Sequence, residues 1–473
     1  MMKILFVSEA LGEPNHKRGI FHFTRDLVRS LAAEGCGLSL LVEVTPRYRK
    51  LRRRQQSTRV LSPRARLIGL LALYRFLDEA DMAKSAMRSV WRRRLDWIRA
   101  HIHRLVSFEF VTCLLRAFWL LPVRVQKIDN EAAGLAYIPP ELRHLGVFRE
   151  FRLEPGFYSY QDLSALMRLP PPRIDASGYD IVVIDTPLRA HIRRSAGTRV
   201  ICVVHDLLPL TDLKLDDAAT RVFLSRLETS LQQSDELVLV SRYSLGVFRD
   251  LLPQFAHLPA RVVYPRTNFD RISPEAFLPA KRPSFVVIVS AERRKNLSAV
   301  IQAFRSLPEA DLVVIGHTGG AELMPDPPAN VRISGYVDER EKTALISAAH
   351  GLIMPSFAEG FGIPIIEAFA LGTPVLCSDI PVFREVAGEL ADYFDPFSAE
   401  ALCAAVKQVT AQQMDRRERI RERYADLAER FGFLTQARDF LAGPAPTAAA
   451  ADEPETVEER VSPRRGELAA HRT

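Results

Sequence analysis

Pro355-Ser356-Phe357-Ala358-Glu359-Gly360-Phe361-Gly362-Ile363-Pro364-Ile365-Ile366-Glu367-Ala368 follows the short apolar run Gly351-Leu352-Ile353-Met354. A run of that kind predicts a strand buried on both faces, and such strands present ligand-binding loops at their carboxyl ends. Glu359 then lies in a crevice loop. Gly360 and Gly362 permit backbone conformations closed to residues with a Cβ, so the chain can bring its own amides close to a bound group. Pro364 suits the first turn of a helix, where N–H groups lack internal partners and carry partial positive charge. The Gly360, Phe361, Gly362 and Ile363 stretch therefore suits an anion such as a diphosphate. Glu367 falls about one turn into that helix, and a carboxylate there can accept two hydroxyl hydrogen bonds from a sugar.

A Glu-x7-Glu pair alone reads equally as an exposed loop acid and an acid favourably placed near a helix N-terminus. The segment as a whole, continuing through Gly372-Thr373-Pro374-Val375 to Asp395-Pro396, resembles the donor-site signature of the family 4 glycosyltransferases, retaining enzymes of the GT-B fold. The resemblance implies two doubly wound, Rossmann-like α/β domains facing each other across a cleft. It further implies that Glu359 orients sugar hydroxyls, and that Glu367 holds the ribose of a nucleotide-diphosphate sugar, a co-substrate rather than a cofactor.

Other motifs fit the same resemblance. His205, in Val203-Val204-His205-Asp206, matches the His-Asp loop of many members, where the His sits beside donor sugar and phosphate. At a strand's carboxyl end it could donate to an oxyanion. Asp206 reads equally well as the cap of the next helix. Glu292-Arg293-Arg294-Lys295-Asn296 resembles the family's Glu-Pro-Arg-Lys-Asn element, so Lys295, helped by Arg294, is expected to neutralise charge on the departing diphosphate. Arg293 replaces the usual Pro. Gly335-Tyr336-Val337 resembles the loop beneath the nucleobase, and Gly19 the N-domain glycine loop that closes over the donor. Asp-x-Asp occurs nowhere, which argues against a metal-dependent sugar transferase, and no metal ligand is assigned.

The rest of the chain is organised around these motifs. Its 473 residues exceed what one core usually serves, and 47% hydrophobic with 26% charged residues is an ordinary globular composition. Short apolar runs alternating with helical segments form two blocks. We expect an N-terminal, acceptor-side domain over 1–272, with an Arg-rich helical insertion at about 45–172. A donor-binding domain over 283–414 follows a proline-rich linker, and helices over 415–442 are expected to cross back to the first domain. The span 443–473, poor in bulky apolar residues, should be disordered. Five scattered cysteines without disulfide or metal spacing, and an N-terminus lacking an export signal, suit a cytoplasmic protein.

Charge is unevenly spread. Between Arg47 and Arg104 there are seventeen Lys or Arg against four acids, a balance of +13 within a chain whose total is +7. No recognition module accompanies the patch, so nucleic acid is not an expected partner. With the apolar stretches at 67–73 and 105–123, neither suited to spanning a bilayer, the span 47–123 reads as a surface for an anionic membrane on the inner face of the cytoplasmic membrane. The combined expectation is a metal-independent, retaining glycosyltransferase acting on a glycan or lipid-linked acceptor in bacterial surface polysaccharide or lipopolysaccharide assembly. A catalytically silent sugar-nucleotide-binding partner, and another GT-B enzyme such as an epimerase or phosphorylase, share the grip.

Overall fold

A computed structural model describes residues 1–8, 11, 19–43, 126–129, 146–154, 157–166, 170–211, 218–269, 282–290, 292–316, 327–432 and 436–443. The membrane-facing reading of 47–123 and the disordered-tail reading of 443–473, Gly443 apart, lie outside these residues, as does most of the linker.

The first sheet contains β1 (Lys3–Val7), β2 (Gly37–Glu43), β3 (Gln126–Asp129), β4 (Glu150–Glu154), β6 (Ile181–Ile184), β8 (Arg199–Val204), β9 (Glu236–Leu239) and β10 (Ala260–Val262). Its spatial order is β10-β9-β8-β6-β1-β2-β4-β3, parallel throughout except for the β3–β4 pair. A two-stranded ribbon of β5 (Arg173–Asp175) and β7 (His191–Arg193) stands apart. The second sheet contains β11 (Ser284–Val289), β12 (Asp311–Gly316), β13 (Val331–Gly335), β14 (Gly351–Met354), β15 (Val375–Ser378) and β16 (Ala391–Phe394), all parallel, in the order β13-β12-β11-β14-β15-β16.

Strand order fixes where ligands can be held. In each sheet the chain builds outward on one side and then starts again on the other, so the order reverses between β1 and β6 and between β11 and β14. Loops diverge there at the strands' carboxyl ends and leave a crevice. The loops in question begin at Ser8 and Asp185 in the first domain, and at Ser290 and Pro355 in the second.

Burial explains the strand sequences. Ile4 and Phe6 of β1 face one apolar layer and Leu5 and Val7 the other, the alternation required when both faces are covered. In β11, Phe285 and Val287 face outward helices, whereas Val286 joins the same layer as Ile4 and Phe6. The inner layers of the two sheets are thus one continuous core. Phe361 and Phe431 lie within it and the half-buried Tyr264 packs against it, with ring centroids 5.6 to 6.0 Å apart.

Two differences from the sequence reading concern the edges. The span 45–172 carries β3 and β4, which extend the first sheet, so it is not wholly helical; the short strands carry too few apolar residues to stand out. The helical span expected over 415–442 starts two residues earlier, with Gln413–Glu422 and Tyr424–Phe431 separated at Arg423. The helix Gln436–Leu441 then packs on the helix Gly19–Ala33, where the Ser30 hydroxyl accepts the Ala437 N–H at 3.0 Å. Arg266 is held there by Asp439 and the Arg430 carbonyl.

Phe431 is fully buried in the shared core. Phe431→Ala should lower unfolding stability by about 3–5 kcal/mol, read from the urea midpoint at unchanged slope.

Candidate active site

Loops from both switch points meet here. After β14, Glu359-Gly360-Phe361-Gly362 leads into the helix Ile363–Ala370, whose N-cap is Gly362 at φ 100°, in the left-handed region. A Cβ on Gly362 would come within 2.8 Å of the Phe383 ring, and one on Gly360 within 2.3 Å of the His205 carbonyl oxygen. Glycine is required at both, in the second case because the two domains' backbones touch.

Glu359 is held from three sides. Lys295 Nζ lies 2.5 Å from Oε1, Arg294 Nη1 lies 2.9 Å from Oε2, and the Ser356 hydroxyl donates to Oε1 at 2.7 Å. Burial pushes this carboxyl up, but Lys295 and Arg294 together outweigh it and hold it below the usual range. The two cations come from one short turn after β11, which ends at Asn296 in the left-handed conformation (φ 49°) with its side-chain amide donating to the Pro396 carbonyl at 2.7 Å. Arg294 is further tied to Glu292 at 2.6 Å. Both cations therefore reach the same carboxylate while keeping further N–H donors.

Glu367 has a separate partner that the sequence reading missed. Lys342, on the helix Glu339–Ala348, lies 2.9 Å from its Oε1 and 3.0 Å from Glu339. Burial raises the Glu367 carboxyl, while Lys342 and then His22 bring it below its ordinary value. His22 belongs to the first domain, so this acid too sits where the domains face each other. Lys342 could not be found from sequence, because its partner is on another helix. Tyr336, 51% exposed, lies in the loop leading to that helix.

Three residues singled out from sequence have surroundings that only the structure gives. Gly19 is the first residue of the helix Gly19–Ala33 rather than part of a loop, and a Cβ there would meet Ile363 at 3.4 Å, so two helix N-termini approach each other. Phe361 is 4% exposed and its ring lies in the shared core against Tyr264 and Phe431, so only its backbone can face a ligand. His205, read as a donor to an oxyanion, bonds the Asp185 carbonyl through its ring, and its buried Nε2 has no protein partner among the described residues. Phe23 lies edge-on to the ring, centroids 5.1 Å apart. Asp206 accepts the Leu208 N–H at 3.1 Å, the capping role.

Asp185 itself accepts from the Ser8 hydroxyl at 2.5 Å, which ties the ends of β1 and β6 beneath the histidine. The arrangement combines three cations, Lys295, Arg294 and Lys342, and two helix N-termini with two rigidly held carboxylates and one neutral imidazole. It can bind an anion and accept hydroxyl hydrogen bonds on either side of it. Among the described residues no group of three or more His, Cys, Asp or Glu could hold a metal ion, and no helix is long and apolar enough to cross a membrane.

Comparison with known proteins bears on the family and the fold. Residues 268–426 match the family model described as glycosyl transferases group 1. The chain is 33% identical over 133 residues to the O-antigen chain mannosyltransferase B of Escherichia coli, covering 26% of this chain and 35% of that protein. It spans about a third of the length of the curated relatives it matches. Among solved structures it is similar to sucrose-phosphate synthase from Thermosynechococcus elongatus (TM-score 0.56, 16% identity, 93% of this chain and 97% of that one). It is also similar to HepE of Anabaena in complex with UDP and glucose (TM-score 0.55, 12% identity, 93% and 99%). The fold is GT-B.

Burial lowers His205 to about 4 against an ordinary 6.5. The folded protein excludes a proton that the unfolded chain accepts, so this site's stability contribution is complete above pH 6.5 and is lost as pH falls toward 4. A histidine NMR titration should show the His205 ring neutral at pH 5.5; a midpoint near 6.5 would contradict the assigned environment.

Proposed function

We propose that this chain, whose residues 268–426 belong to the group 1 glycosyl transferases, moves a hexose from a nucleotide diphosphate onto a glycan or lipid-linked hydroxyl, with retention at the anomeric carbon. The observation that supports this reading is that Glu359, paired with Lys295 and Arg294, and Glu367, paired with Lys342, flank the N-terminus of the Ile363–Ala370 helix, and that Gly360 of the same loop abuts the His205 carbonyl of the opposite domain. Mannose is the favoured sugar and surface polysaccharide assembly the favoured setting, supported by the O-antigen mannosyltransferase among the relatives.

In this mechanism the diphosphate lies between the Ile363–Ala370 helix N-terminus and the Lys295–Arg294 pair, close to Gly19. These groups stabilise charge as the sugar–phosphate bond breaks, and they do so without a divalent ion. Glu359 accepts sugar hydroxyls and Glu367 the ribose hydroxyls, with Tyr336 beside the base. His205 Nε2 accepts a sugar hydroxyl rather than donating to phosphate. No carboxylate is assigned as a nucleophile; the departing phosphate assists the incoming hydroxyl on the same face, which preserves the configuration.

A panel of sugar nucleotides that includes GDP-mannose and UDP-glucose tests this directly. One donor should raise the melting temperature and be consumed in excess EDTA, with an α-configured donor giving an α-linked product. Glu367→Gln should weaken that donor by about 1.5–3 kcal/mol in calorimetry, since an amide offers one acceptor oxygen in place of two. Loss of turnover in EDTA restored by Mg²⁺, or unchanged affinity in the variant, would contradict the mechanism.

For the lipid-linked acceptor, the +13 balance from Arg47 to Arg104 supports docking of 47–123 on an anionic membrane. Each engaged Lys or Arg contributes about 1 kcal/mol near such a surface. Sedimentation with phosphatidylglycerol vesicles should be strong at low salt and fall at high salt; equal binding to neutral vesicles would point to a soluble acceptor.

A further inference from the structure

The helix Arg242–Leu251 follows β9 in the first domain, and its N-terminus touches the second domain on two sides. Its own cap is Ser241, whose hydroxyl oxygen accepts the Ser244 N–H at 3.0 Å. The two preceding N–H groups are satisfied from the opposite domain. Glu385 Oε1 accepts the Arg242 N–H at 2.7 Å and Oε2 accepts the Tyr243 N–H at 2.8 Å. A carboxylate bridging two amides at a helix N-terminus gains from charge-assisted hydrogen bonds and from the partial positive charge of the helix end.

The contact is reinforced around Glu385. The Tyr264 hydroxyl, at the end of the first domain, donates to Oε1 at 3.0 Å. Arg430, on the returning helix Tyr424–Phe431, donates to the Glu385 carbonyl at 2.8 Å and lies over the Tyr264 ring, 5.2 Å from its centroid. On the other side of the same N-terminus, the Ser241 and Ser244 hydroxyls donate to the Gly360 carbonyl at 2.8 and 3.2 Å. Gly360 is the residue whose Cα approaches the His205 carbonyl. One helix end therefore joins Glu385 to the loop carrying Glu359.

We propose that Glu385 is a positioning residue: its carboxylate latches the first domain onto the second and so sets His205 in register with the Glu359–Gly362 loop. The proposal rests on the reading of that loop as a sugar-nucleotide site. Glu385 is bonded to main-chain groups, Tyr264 and Arg430, and to none of the proposed donor-binding side chains. Because Lys295, Arg294, Glu359 and Glu367 all lie in the second domain, release of the latch leaves the main donor grip intact. It displaces the first-domain groups that act on the held donor, and misplacement of reacting groups reduces turnover more than binding.

The test compares wild type with Glu385→Gln and Tyr264→Phe, two variants that keep side-chain shape and remove different parts of the contact. Donor dissociation constants from calorimetry should stay within about twofold while kcat falls about tenfold or more for Glu385→Gln, and less for Tyr264→Phe. Small-angle X-ray scattering should show a broader intraparticle pair-distance distribution for Glu385→Gln, which a local loss of stability would not produce. Unchanged kcat and scattering in both variants would overturn the latch, as would equal losses in donor affinity and turnover. A wild-type protein that binds no sugar nucleotide would overturn the reading of the site instead, and the scattering comparison would still decide whether Glu385 sets domain orientation.

Discussion

The approach of the Gly360 Cα to the His205 carbonyl is the constraint around which the molecule is arranged. Backbones from two domains can come this close only where one lacks a side chain, and a Cβ would lie 2.3 Å from the carbonyl oxygen. The shared core explains how the approach is maintained. Phe361, next to Gly360, is anchored against Tyr264 and Phe431, so apolar burial on one side of the loop supports polar contacts on the other. Non-directional packing supplies the attraction, and the glycine sets the minimum distance.

The two acids of the loop and helix use the same electrostatic solution. A buried carboxylate without a partner would take up a proton. Glu359 avoids this through Lys295 and Arg294, and Glu367 through Lys342. Each cation comes from a different element than its acid, so the charges also fix the relative positions of the loops. Ionised and held in place, both acids remain hydrogen-bond acceptors, the state required to recognise neutral hydroxyl groups rather than cations.

Much of this was legible in sequence because it depends on local patterns. The buried strands appear as short apolar runs, and alternation with helices specifies parallel sheets. The Gly-Phe-Gly turn followed by Pro364 marks the helix N-terminus that the structure contains. What remained hidden depends on distant partners. Lys342 and Glu367 lie twenty-five positions apart on separate helices, and Glu385 meets Arg242 across 143 positions. The histidine's partner was hidden for a similar reason: the Asp185 carbonyl is brought within its reach by the β6–β8 pairing.

The contact between Ser30 and Ala437 spans 407 positions. The helix Gly19–Ala33 therefore leaves the ribosome long before the helix that covers it exists. At ordinary elongation rates the interval is on the order of twenty to eighty seconds. During synthesis the first domain must persist with part of its apolar face uncovered, and it becomes complete only when nearly all the described chain has emerged. Closure of the first domain thus waits on the helix Gln436–Leu441, so a chain interrupted before that helix is made would expose an unfinished surface on the first domain.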